Sequence, residues 1–104
     1  MITDAERDFI RHALGLTNPD ARKVGYRNRY SAGGRDVEIG ASLVRKGMAV
    51  HFPPDPSWRP DHFFVITTAG FRAAKEPGET MDREETEKMK RFDAKAFVGA
   101  EITV

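Results

Sequence analysis

The chain has 104 residues, 39% hydrophobic and 32% charged, with a formal net charge of +1. That suits a small globular protein with a modest core. It contains no cysteine, which excludes disulfides, thiolate metal sites and cysteine nucleophiles.

Thr3-Asp4-Ala5-Glu6 fits a capping box, and behind it Ala5, Phe9, Ile10, Ala13 and Leu14 recur at helical spacing. The spacing predicts a helix over about residues 4–14, with Arg7, Asp8, Arg11 and His12 on its other face. Gly15 is a natural stop, and Leu16 can fold back on the last turn. Asn18-Pro19 is a good start for a short helix that Gly25 cuts off. Tyr26-Arg27-Asn28-Arg29-Tyr30 alternates aromatic and polar residues and reads as an extended segment or an ordered loop. Ser31-Ala32-Gly33-Gly34 reads as flexible.

A second helix is predicted over about residues 36–46. Val37, Gly40, Ala41, Val44 and Met48 form one stripe, with Leu43 beside it. Gly40 weakens a helix relative to alanine, so a close helix contact is expected on that face. Gly47 ends the helix. Residues 48–52 look extended, and the prolines between Pro53 and Asp61 make a loop at a hairpin tip. Phe63 to Ile66 returns as a strand. Thr67 or Thr68 caps a helix from Ala69 to about Lys75, which Pro77-Gly78 stops. Thr80 or Asp82 then caps a charged, solvated helix over about residues 82–94, with Asp82 and Glu85 fitting a capping box. Met81, Met89 and Phe92 form a weak apolar stripe. Residues 97–104 are strand-like, to pair with a sheet edge or fray.

This order predicts an α+β fold. Residues 1–78 form a winged-helix-like domain and residues 79–104 a helix and strand extension. No apolar run approaches the length needed to cross a bilayer. The acidic start lacks the regions of a signal peptide, so an intracellular protein is expected.

Charge is unevenly spread. Residues 1–52 hold nine Lys/Arg and six Asp/Glu, and residues 53–104 hold eight and ten. Arg22, Lys23, Arg27, Arg29 and Arg35 fall in a stretch without an acid, which either attracts phosphate or is a solvated loop. Enzymatic chemistry is not expected. Ser31, Ser42 and Ser57 lack a nucleophile motif, and Gly33-Gly34 lacks the Gly-Lys-Ser/Thr of a phosphate loop. His51 and His62 can face each other across the hairpin near Asp55 and Asp61. Solvated histidines are the better reading there than a metal site. The acids of residues 82–87 read as a helix surface with pairs such as Glu84–Lys88.

Leu43-Val44-Arg45-Lys46-Gly47-Met48 and Ile66-Thr67-Thr68-Ala69-Gly70 resemble two elements of MarR- and PadR-type winged-helix regulators. These are the leucine–x–x–glycine end of the recognition helix and the leucine–threonine–x–x–glycine start after the wing. The match covers about residues 36–75. It implies DNA binding by the outward face of the second helix (Arg35, Glu38, Ser42, Arg45, Lys46) and by Arg59 at the wing tip. The helix that should precede the recognition helix is reduced to a turn, and the basic segment can replace its phosphate contacts. Ile10-Arg11-His12-Ala13-Leu14-Gly15-Leu16 and Tyr26-Arg27-Asn28-Arg29-Tyr30 resemble a group of small uncharacterised bacteriophage and prophage proteins. This resemblance covers about residues 4–75 and implies a phage origin and a host-cell cytoplasmic setting. It brings no catalytic residue or cofactor.

The first expectation is therefore a non-enzymatic DNA-binding protein using Arg22, Lys23, Arg27, Arg29, Arg35, Arg45, Lys46 and Arg59. The alternative is a module that engages or inhibits a host or phage protein through Tyr26, Tyr30 and Trp58. Trp58 could instead fold back on the prolines, and a homodimer through the C-terminal helix or strand is a third possibility.

Overall fold

Helix α1 spans Asp4–Leu14. The computed structural model describes residues 1–102, so Thr103 and Val104 of the expected terminal strand lie outside the described residues. The Glu6 amide donates to Thr3 Oγ1 at 3.1 Å, and the Thr3 amide donates to Glu6 Oε1 at 2.7 Å. This closes the capping box and satisfies two amides near the open start of the helix. At the other end Gly15 takes a φ of 79°, and the Leu16 amide donates to the Arg11 carbonyl at 2.9 Å. Phe9, Ile10, Ala13 and Leu14 are buried.

Asn18 caps a single 3-10 turn, Pro19–Ala21. Strand β1 (Val24–Gly25) pairs in parallel with β5 (Thr80–Met81). A three-stranded antiparallel sheet is built from β2 (Tyr30–Ala32), β3 (Ala49–Phe52) and β4 (His62–Ile66), in the order β2-β4-β3. Helix α2 (Arg35–Arg45) connects β2 to β3. Helix α3 (Thr68–Ala74) follows β4, and α4 (Arg83–Asp93) follows β5. The fold is α+β. No described helix is long and apolar enough to cross a membrane.

Register separates the two faces of the sheet. Tyr30 pairs with Phe64, and Phe64 with His51. These residues face inward, because side chains alternate along a strand. Tyr30 stacks on Phe9 with centroids 4.1 Å apart, and Phe64 meets Phe9 edge-on at 5.6 Å. Ser31 pairs with Phe63 and Phe63 with Phe52, on the outer face. Helix α4 packs on this outer side, where Phe92 joins Phe63 and Val65 in lining one cleft. Helices α1 and α2 therefore cover one face of the sheet, and α4 covers the other around the buried Val65 while leaving Phe52 and Phe63 partly exposed.

Several local expectations change. Gly40 does make a close contact, but with an aromatic ring rather than a helix: a Cβ there would lie 2.5 Å from Phe64. Ser31 and Ala32 belong to β2 instead of a flexible loop. Residues 26–29 form no strand, yet Asn28 acts as one by its side chain. Its amide donates to the Ile66 carbonyl at 2.8 Å and accepts from the Ile66 amide at 2.7 Å. Thr67 caps α3 and is buried. Asp82, not Thr80, caps α4, and Glu85 pairs with Lys88 at 3.7 Å in place of the expected Glu84–Lys88 pair. Helix α4 is solvated on one side only, since Met89 is buried in the core. Residues 97–102 form no strand; Val98 makes a single bridge to Lys46, and Ala100 and Ile102 pack on the core.

The C-terminal residues are tied to the rest by polar contacts too. Arg11 donates to Glu79 Oε2 at 2.7 Å and to the Ala74 carbonyl at 3.1 Å. The Glu79 side chain is 6% exposed. The Thr68 amide and hydroxyl donate to Asp93 at 2.8 and 2.6 Å. Arg11 was expected on the solvent face of α1; instead it is the partner that makes a buried Glu79 tolerable, since a charge leaves water only when paired and hydrogen-bonded.

Candidate nucleic-acid interface

The eight basic residues singled out in the sequence fall into five neighbourhoods. Arg22 and Lys23 form a left-handed turn before β1, with φ values of 53° and 68°. The Lys23 side chain lies beside Gly78. Arg35 is exposed in the first turn of α2 and lines a cleft of about 470 Å³ between α1 and α2. Arg45 lies 3.9 Å from Glu101. Arg59 sits at the hairpin tip. No described carboxylate pairs with Arg27 or Arg29, as is also true of Arg22, Lys23, Arg35 and Arg59; Arg27 and Arg29 differ in having no acid within five residues in sequence.

Two of the five residues on the outward face of α2, Ser42 and Lys46, are engaged within the protein. Glu6, 3% exposed, reaches across from α1 and takes both. Ser42 Oγ donates to Glu6 Oε2 at 2.7 Å, and Lys46 Nζ donates to Glu6 Oε1 at 2.7 Å and to the Met1 carbonyl at 3.1 Å. Burial alone would raise the Glu6 carboxyl. The bonds from Lys46, Ser42 and the Thr3 backbone outweigh it and bring it down to about 2. What remains exposed on this face is Arg35, Glu38 and Arg45.

Arg27 and Arg29 are placed by the end of α1. The Arg27 guanidinium donates to the His12 carbonyl at 2.7 Å, and the Arg29 amide donates to the Ala13 carbonyl at 3.1 Å. A carbonyl in the last turn attracts a cation without neutralising it. Arg27 therefore keeps its full charge in a fixed orientation. Both arginines line two clefts. One, of about 320 Å³, also holds His12, Tyr30 and Ser31. The other, of about 280 Å³, also holds Phe63, Val65, Phe92, Lys88 and the Glu85 that pairs with Lys88. Lys88, His12 and the two phenylalanines were not among the residues singled out. Phe63 reads only as a strand residue in the sequence, and Lys88 had no signal, because only the packing of α4 brings it there.

The aromatic residues separate in the same way. Tyr30 is not an exposed contact residue: it stacks on Phe9 and its hydroxyl donates to Asp36 at 2.9 Å. Burial and Asp36 together push its phenol up. Tyr26 is 44% exposed, with its ring against Gly15 and its hydroxyl accepting from Asn18 at 3.2 Å. Trp58 is 70% exposed and does not fold onto the prolines. Its indole N–H donates to Asp55 Oδ2 at 2.9 Å, while Asp55 Oδ1 accepts from the Ser57 amide and hydroxyl at 3.0 and 2.6 Å. Arg59 stacks over the Trp58 ring at 4.5 Å and donates to the Pro53 carbonyl at 2.8 Å.

His51 and His62 do face each other, with Nε2 to Nδ1 at 2.8 Å. Burial, then His62 and Arg59, lower the His51 imidazole. Among the described residues no three His, Asp or Glu side chains come together to hold a metal ion. No family model matches the chain, and no curated protein or solved structure is similar to it.

Proposed function

We propose that this chain is a non-enzymatic nucleic-acid-binding module of winged-helix type, related to the small phage proteins it resembles. Its phosphate contacts come from the Arg27–Arg29 segment rather than from α2. The scaffold reading rests on the order α1, β2, α2, β3, hairpin, β4 with β2 paired to the returning strand of the hairpin. The observation that carries the function is the pair of arginines, fixed to the end of α1, without a described carboxylate partner, and lining clefts on both sides. Cations held this way gain most from phosphate, because no internal ion pair has to break first. Of the three serines, Ser42 is bound to Glu6 and Ser57 to Asp55, while Ser31 lines the cleft that also holds His12.

Fluorescence anisotropy with a labelled 20-base-pair duplex tests this. Binding is expected at 50 mM salt and is expected to weaken steeply by 200 mM. The double variant Arg27→Ala/Arg29→Ala should bind more weakly at every salt concentration. Full affinity in that variant would remove the segment from the site.

A second reading has its own observation. Trp58 is exposed and pre-oriented, and Phe97 and Val98 are 67% and 78% exposed. Rigid aromatic anchors are the usual centre of protein interfaces. A host protein held through Trp58 would be lost in Trp58→Ala while Arg27→Ala/Arg29→Ala left it bound.

A further inference from the structure

The outer face of the sheet carries a row of aromatic rings alternating with cations. Phe63 and Phe52 are cross-strand neighbours there, only partly buried, with rings 6.0 Å apart at 65°. Arg59 lies 5.4 Å from the Phe63 ring on one side and 4.5 Å from the Trp58 ring on the other. Lys95, just past α4, lies 5.8 Å over the Phe52 ring. At the β2 end, Arg29 and Lys88 line the same cleft as Phe63. Three acids lie close to this row. Glu85 is paired with Lys88, and Asp55 is occupied by Ser57 and Trp58. Asp61 is exposed in the loop just before β4.

From this juxtaposition we infer that the outer face of the sheet, from Arg29 across Phe63 and Phe52 to Trp58, is a binding track for single-stranded nucleic acid. It rests on the nucleic-acid reading above and names the strand state it takes. The chemistry is that of unpaired bases: each has a face that stacks on an aromatic ring, and each is joined to the next by a phosphate that a neighbouring cation can meet. In a duplex those faces are already stacked on each other. Trp58 adds little ordering cost on binding, since Asp55 and Arg59 already fix its ring. Three strands at about 4.8 Å spacing plus the tip give room for a few nucleotides.

The chain has one tryptophan, so its emission reports on Trp58 alone. The experiment titrates the protein with an eight-nucleotide thymidine single strand and with a duplex of equal length, at 50 mM salt. Each titration is read by Trp58 emission and by anisotropy of a labelled strand. The single strand is expected to quench Trp58 and to bind about tenfold or more tighter than the duplex. Phe63→Leu, which keeps an apolar side chain but removes the ring, is expected to weaken single-strand binding about tenfold. Trp58→Ala, at an exposed position, should do the same by anisotropy with no effect on folding. Single-strand binding that leaves Trp58 emission unchanged and survives both variants would overturn the track. So would tighter binding of the duplex. Either result leaves the Arg27–Arg29 phosphate reading standing if the double arginine variant still weakens binding. Absence of binding to either form overturns both.

Discussion

Replacing Glu6 by glutamine tests the polar contacts that tie Ser42 and Lys46 of α2 to α1. The buried Glu6 carboxylate accepts from Thr3, Ser42 and Lys46. These bonds hold its pKa at about 2 against an ordinary 4.5. At about 1.4 kcal/mol per tenfold change in proton affinity, ionised Glu6 stabilises the folded state by up to about 3 kcal/mol. The sign follows from the folded pKa being the lower one. The contribution is complete above about pH 4.5 and is lost as pH falls toward 2. Near pH 3 about half of it, roughly 1.4 kcal/mol, should remain. Glu6→Gln keeps the shape and the capping acceptor but not the charge. Urea unfolding should show the variant about 3 kcal/mol less stable at pH 7, with the gap to wild type roughly halved at pH 3. Scanning calorimetry should show a fall in Tm of about 10–20 °C at pH 7. A gap under about 1 kcal/mol at pH 7, or one that stays constant down to pH 3, would refute the reasoning. Lys46 would then be free, and the outward face of α2 would return as a contact surface.

Gly40→Ala should destabilise by about 1–3 kcal/mol despite alanine's better helix propensity, because its Cβ would press into the Phe64 ring; thermal unfolding checks this. Glu79→Ala should cost about 3–5 kcal/mol by leaving Arg11, 12% exposed, without its carboxylate, measured by urea unfolding. Asn28→Ala removes both bonds to Ile66 and should cost about 2–3 kcal/mol, with faster amide exchange at Ile66. His51 has its imidazole lowered by burial first and by His62 and Arg59 after it. It therefore favours the folded hairpin above its ordinary 6.5, and that support is lost as pH falls below it. Protection factors of the β3 and β4 amides, which divide out the intrinsic pH dependence of exchange, should fall from pH 7.5 to 5.5 in the wild type and stay flat in His51→Phe.

Local signals carried much of the fold. The capping box of Thr3 and Glu6, the Gly15 stop and the Asn18 cap are short-range chemistry, and each forms where its residues fall. The two main helices and the hairpin follow from periodicity and proline placement in the same way. Long-range partners were not legible. Nothing near Gly40 in sequence points to Phe64, and nothing near Glu6 points to Lys46, 40 residues away. A capping glutamate normally stays in water, so its burial became visible only with α2 beside it. The candidate site divides along the same line. Arg27 and Arg29 stood out as a local run without acids. Their cleft partners Lys88 and Phe92 come from α4, whose position depends on Met89 in the core and on Asp93 against Thr68. Phe52 and Phe63 read as ordinary strand residues. Their shared outer face depends on the pairing register, which the long proline loop leaves open in the sequence.

The central claim is that Arg27 and Arg29 meet phosphate. The slope of log binding constant against log salt concentration, measured for wild type and for Arg27→Ala/Arg29→Ala on the same strand, tests it most directly. Each lost phosphate contact should flatten the slope by about 0.9 on a duplex or about 0.7 on a single strand. The double variant should therefore flatten it by roughly 1.8 or 1.4, with weaker binding throughout. An unchanged slope with unchanged affinity would contradict the account and place the function of this fold elsewhere on its surface.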